Sequence, residues 1–154
     1  APVFEAMILH DLAFDALVLP RHLPHLRVLL ARYPDLRVVI DHGAKPEITS
    51  GAFEPWAKDI ACIAHETNAF CKLSGLVTEA GTDWAVADLA PYIAHLFETF
   101  GARRLMWGSD WPVLTLAANY GEWLSTAKRF VEEETAAQRV FGRNACDFYK
   151  RQPG

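Results

Sequence analysis

The chain has 154 residues, 51% of them hydrophobic and 22% charged, with 15 Lys+Arg against 19 Asp+Glu and a formal net charge of -4. Its apolar content, with 5 Trp and 9 Phe, is enough to offset the ordering entropy of a folded core and excludes a disordered chain. The mild acidity, without any Lys/Arg-dense run, sets aside nucleic-acid and membrane-surface partners; no apolar run is long enough to span a bilayer, and Cys62, Cys71 and Cys146, never in a CxxC, indicate a reducing, cytoplasmic setting rather than disulfides or thiolate-bound zinc.

Ala1, Pro2 and Val3 open the chain with neither a Met nor a basic-then-apolar leader, which is the start expected of a piece rather than of a secreted precursor. Four short runs carry a β-type pattern: residues 12–19 (LAFDALVL), 36–41 (LRVVID), 69–74 (AFCKLS) and 103–109 (RRLMWGS). A helical stretch follows each. Residues 20–33 repeat Leu23, Leu26, Leu29 and Leu30, residues 55–66 repeat Trp56, Ile60, Ile63 and Ala64, and residues 88–100 repeat Leu89, Ile93, Leu96 and Phe97. Pro34 and Asp35 close the first helix, and Gly101 stands as C-cap of the third. Past the fourth strand, helices are expected over 117–133, over 135–141 with Thr135 as N-cap, and over 144–150.

Such alternation builds a parallel α/β sheet covered by helices. A closed (β/α)8 barrel needs about 250 residues, so four units in 154 residues make half of one, a single partial barrel domain over 1–154. Neither GxGxxG nor GxxxxGK[ST] follows a strand, which removes the phosphate-cradling markers of the doubly wound alternative.

In parallel α/β proteins the polar residues at the C-terminal strand ends face the site. The second strand ends in IDHGAKP (40–46) and the fourth in WGSDWP (107–112), placing His42 and Asp110 where a hydrolase binds a metal or activates water. Spacing alone also allows a turn-capping Asp110 and a hydrogen-bonded loop histidine.

The segments FDALVLPRHLP (14–24), VIDHGAKP (39–46), CKLSGL (71–76), RLMWGSDWP (104–112) and VFGRNA (140–145) together resemble the C-terminal half of the amidohydrolase-related family, in its sugar-lactonase-like branch of fuconolactonases and dicarboxylate-lactone hydrolases. The resemblance implies strands five to eight of a (β/α)8 barrel that hydrolyses a small lactone. It makes Asp110 the strand-eight general base toward water, and His42 the strand-six histidine that binds metal or polarises the scissile carbonyl. The family's HxH pair is absent from these residues and Asp15 stands where a strand-five histidine is expected, so the resemblance implies an incomplete site in this chain alone. Both one divalent metal such as zinc, on His42 and Asp110, and metal-independent catalysis are compatible with it. A decarboxylase or isomerase on the same barrel, and an inactive half-barrel serving as an association module, are the competing readings.

Successive strand side chains point to opposite faces. If His42 and Asp110 point into the lumen, that rule sets Val38 and Ile40 beside the first and Met106 and Gly108 beside the second, with Trp107 turned to the helices. Phe70, Lys72 and Ser74 share a face, and a strand lysine is rare unless paired or used. Lys72 is open to two readings, holding a substrate carboxylate or carbonyl, or pairing with Asp15; Ser74 either bonds substrate or forms a turn. Glu79 and Trp84, in the loop after the third strand, and Trp111, next to Asp110, are placed to contact substrate. His22 and His25 sit at a proline-flanked helix start, Cys62 and His65 lack a second ligand pair, and His95 lies beside Leu96; all five read as structural. The open sheet leaves its outer strands unpaired and Val38, Ile40, Phe70 and Met106 without an opposite wall, which predicts self-association.

Overall fold

The β-branched and aliphatic runs form strands because they can be buried on both faces, as a parallel sheet requires. The computed structural model describes residues 2–150. In chain order these form α1 (Pro2–Leu9), β1 (Ala13–Ala16), α2 (Leu23–Arg32), β2 (Arg37–Ile40), α3 (Glu54–Glu66), β3 (Phe70–Leu73), α4 (Leu76–Ala80), α5 (Val86–Arg104), β4 (Leu105–Trp107), α6 (Tyr120–Lys128), α7 (Glu134–Gln138) and α8 (Asn144–Tyr149). The strands lie in the order β1-β2-β3-β4, all parallel, with Ala16 opposite Ile40, Ile40 opposite Cys71 and Leu73 opposite Trp107. This is the arrangement of four consecutive units of a (β/α)8 barrel.

The larger core lies on the helix side, where Ala16, Val38, Ile40, Cys71, Leu73 and Leu105 meet the stripes of α2, α3 and α5. Val38 and Ile40 therefore face the helices, not the lumen. Alternation stops at Ile40: Asp41–Ala44 is a tight turn in which His42 takes φ 53 and ψ 39, so a count by two from Ile40 to His42 does not hold. The inner face instead carries Val39, Phe70 and Met106, and it is covered by Phe148 of α8, whose ring lies 5.0 Å from that of Phe70. Trp107 packs on the helix side, as expected, because it alternates along β4 with the inward Met106.

Several elements differ from the sequence expectation. Helix α1 has no counterpart among the expected elements; its Phe4, Met7 and Ile8 pack on the core. Residues 76–80 are helix rather than loop. The helix expected over 117–133 is present but shorter, as α6: the Asn119 side chain accepts from Glu122 N at 2.9 Å and starts it there, the helix ends at Lys128, and a short turn, Val113–Leu116, precedes it. Thr135 lies inside α7 rather than capping it, and a π-type turn, Arg139–Arg143, runs on into α8. Gly101 does end the regular part of α5, in the left-handed region at φ 64. No helix among the described residues is long and apolar enough to cross a membrane.

Candidate active site at the C-terminal strand edge

His42 leaves β2 through four consecutive residues with positive φ: His42 at 53, Gly43 at 56, Ala44 at 63 and Lys45 at 53. Three of the four carry side chains that disfavour this region, so the turn persists only because its surroundings hold it. The buried Trp56 indole of α3 donates to Gly43 O at 2.6 Å, Lys45 N donates to His42 O at 2.8 Å, and the Lys45 ammonium pairs with Glu79 of α4. Asp110 is also left-handed, with φ 60, and precedes a cis Trp111–Pro112 bond. Behind it the buried Trp123 of α6 donates to Gly108 O at 2.9 Å.

These two strained turns converge. His42 Nδ1 lies 2.8 Å from Ser74 Oγ, and His42 Nε2 lies 3.5 Å from Asp110 Oδ1, with only 18% and 13% of the two side chains exposed. With Asp110 ionised, the neutral ring that fits carries its proton on Nε2, while Nδ1 accepts from the Ser74 hydroxyl. A carboxylate able to take a proton thus stands beside an imidazole N–H able to donate to a carbonyl oxygen.

Gly75 makes this possible. It has φ 68, and a Cβ built on it would lie 2.8 Å from both His42 Cβ and Cγ. Gly75 belongs to no site motif in the sequence, and its only signal there is a small residue directly after the third strand.

The remaining candidates are placed as follows. Lys72 bridges Asp15 Oδ2 and Asp41 Oδ1, each at 2.7 Å, and Tyr149 OH donates to the same Asp15 oxygen at 2.7 Å. Burial pulls the Lys72 ammonium down, but the Asp15 and Asp41 carboxylates outweigh it and its pKa is raised. Glu79 is engaged with Lys45, and Trp111 is 69% exposed beside Asp110. Trp84 donates to Ala117 O at 3.0 Å. His22 Nδ1 accepts from Leu19 N at 3.1 Å, and His95 Nε2 donates to Ala57 O at 2.8 Å, both local structural bonds.

Among the described residues no group of three or more His, Cys, Asp or Glu is placed to hold a metal ion. His42 and Asp110 are suitable donor types at a compatible separation, but they make two of the three protein ligands that a catalytic zinc keeps.

The chain is 51% identical over 156 residues to an L-fucono-1,5-lactonase of Burkholderia ambifaria, a match covering 97% of this chain and 53% of that protein. It is 36% identical to an L-fucono-1,5-lactonase of Burkholderia multivorans, over 91% of this chain and 52% of that protein. The crystal structure of an amidohydrolase from Burkholderia multivorans with bound zinc superposes with a TM-score of 0.88 at 33% identity, covering 95% of this chain and 55% of that one. The chain thus spans about half the length of the curated relatives it matches. The amidohydrolase family profile matches residues 1–151, and the chain belongs to that family.

Proposed function

We propose that this chain supplies the water-activating half of an amidohydrolase active site that opens a small sugar lactone. The observation that carries the reading is the convergence of His42, Ser74 and Asp110 at one strand edge, supported by the 51% identity to a protein named L-fucono-1,5-lactonase. Asp110 removes a proton from water as its oxygen bonds to the lactone carbonyl carbon. His42 Nε2–H donates to the carbonyl oxygen as negative charge develops there, with Ser74 holding the ring's orientation. The tetrahedral intermediate then expels the ring oxygen, which takes the proton back from Asp110, and a hydroxy acid leaves. The exposed Trp111 offers an apolar face to the bound ring. A divalent ion such as zinc, held by Asp110 and by His42 in the tautomer with Nε2 unprotonated, with donors from outside this chain, would supply Lewis-acid polarisation of the carbonyl in place of the Nε2–H.

The test is a fusion of this chain to the unmatched half of the Burkholderia ambifaria lactonase, assayed on L-fucono-1,5-lactone with and without chelator. Hydrolysis is expected, and Asp110→Asn should lower kcat at least about 100-fold with an unchanged circular dichroism spectrum. A folded fusion that opens no lactone, or one in which Asp110→Asn keeps normal turnover, overturns the reading.

A further inference from the structure

The residue before His42 is held in an unusual way. Asp41 Oδ1 is fully buried, and its partner is the Lys72 ammonium 2.7 Å away on the neighbouring strand. The same ammonium binds Asp15 two strands from its own, and Asp15 in turn accepts from Tyr149 of α8. A single cation thus ties β1, β2, β3 and the last helix together on the inner face. The left-handed turn of residues 42–45 begins one residue after Asp41, so a fixed Asp41 sets where that turn starts. Its downstream part is anchored by Trp56 and by the pairing of Lys45 with Glu79, and its upstream end by Lys72.

We propose that Lys72 is a positioning residue for His42: by holding the buried Asp41 carboxylate it fixes the start of the left-handed turn that aims the imidazole at Ser74 and Asp110. The inference rests on the reading above only in giving His42 a part in lactone opening. Two carboxylates already share the Lys72 ammonium, which leaves it poorly placed to seize a substrate carboxylate as well. A strained turn keeps its conformation only while every anchor holds, and a buried carboxylate without its cation is driven to find water or a proton.

The decisive measurement needs no activity. Imidazole 15N spectra of the chain at one fixed pH, with the His42 signals identified by their loss in His42→Gln, report its tautomer. The wild type should show a single neutral tautomer protonated on Nε2. Lys72→Met and Asp41→Asn should each mix the tautomers, and the double variant should be no worse than Lys72→Met alone, because the same link is cut. In the active fusion, Lys72→Met should lower kcat roughly ten- to a hundred-fold with KM within about two-fold. If Lys72→Met does not fold, Asp41→Asn, which keeps the side chain's shape, carries the same readout. An unchanged His42 spectrum in the folded single variants overturns the inference. So does a raised KM with unchanged kcat, which would make Lys72 a substrate ligand. A fusion inactive in every form counts against the lactonase reading and leaves the imidazole result to decide this one.

Discussion

Gly75 shows how tightly the His42 ring is packed. In Gly75→Ala the new methyl would meet the imidazole at about 2.8 Å while the backbone stays at φ 68, a region that costs a side chain roughly 1–2 kcal/mol. The variant is expected to lose stability by at least that amount in urea titration, and lactone turnover in the fusion by about 10-fold or more, because the ring must move. Turnover equal to wild type would mean that the ring is free to shift without consequence. At the inner face, burial and the bond to Asp15 push the Tyr149 phenol up to about 12, and the Lys72 pKa is raised as well. The unfolded phenol ionises near pH 10, so above that the unfolded chain has released a proton that the folded chain still holds. Stability from this pair is therefore fully present below about pH 10 and is lost as pH rises toward about 12. The urea midpoint should stay level up to about pH 10 and then fall, less steeply in Tyr149→Phe; an equal fall in that variant refutes the assignment. His42 and Asp110 were legible in the sequence because strand-end motifs are local. Asp15 with Lys72 was legible as a pair of opposite charges on inner strand faces. Tyr149 was not, since its bond to Asp15 joins residues 134 apart and leaves no trace in spacing.

Two helices reach into the His42 and Asp110 turns by the same device. Trp56 of α3 donates to Gly43 O and Trp123 of α6 donates to Gly108 O, each indole 1% exposed or less. Trp56→Phe keeps most of the packing and removes the donor, leaving a buried carbonyl unsatisfied; a loss of about 1–3 kcal/mol is expected in chemical denaturation, with lower turnover in the fusion. A variant that loses stability with turnover per folded molecule unchanged would show that the bond serves the core alone. The four strands and helices α2, α3 and α5 were readable because apolar periodicity there is strong and Gly or Pro marks the ends. The reversal of Val38 and Ile40 was not, because the alternation rule carries no information past a residue such as His42 whose backbone turns left-handed. Helices α1 and α4, of eight and five residues, are too short to be stable by themselves and owe their form to docking on the core, which local pattern does not record.

Among the described residues the sheet is bounded by β1 and β4, each with one unpaired edge. Near these strands in sequence stand exposed apolar side chains: Leu9, Leu12 and Leu17 flank β1, and Trp111, Val113, Leu116 and Tyr120 follow β4. The isolated chain should therefore show sedimentation that rises with concentration and should bind a hydrophobic dye; a monomer at every concentration with no dye bound would contradict this. The inner face contributes less to such association than strand counting suggests, because Phe148 already covers Val39 and Met106. That cover comes late in synthesis. Arg37 donates to the Phe148 carbonyl across 111 residues, so β2 leaves the ribosome long before its inner layer exists. Within the described residues, Val39, Phe70 and Met106 gain their cover only once Phe148 docks. A chain cut before α8 should thus bare that inner layer and bind more hydrophobic dye than the whole chain does.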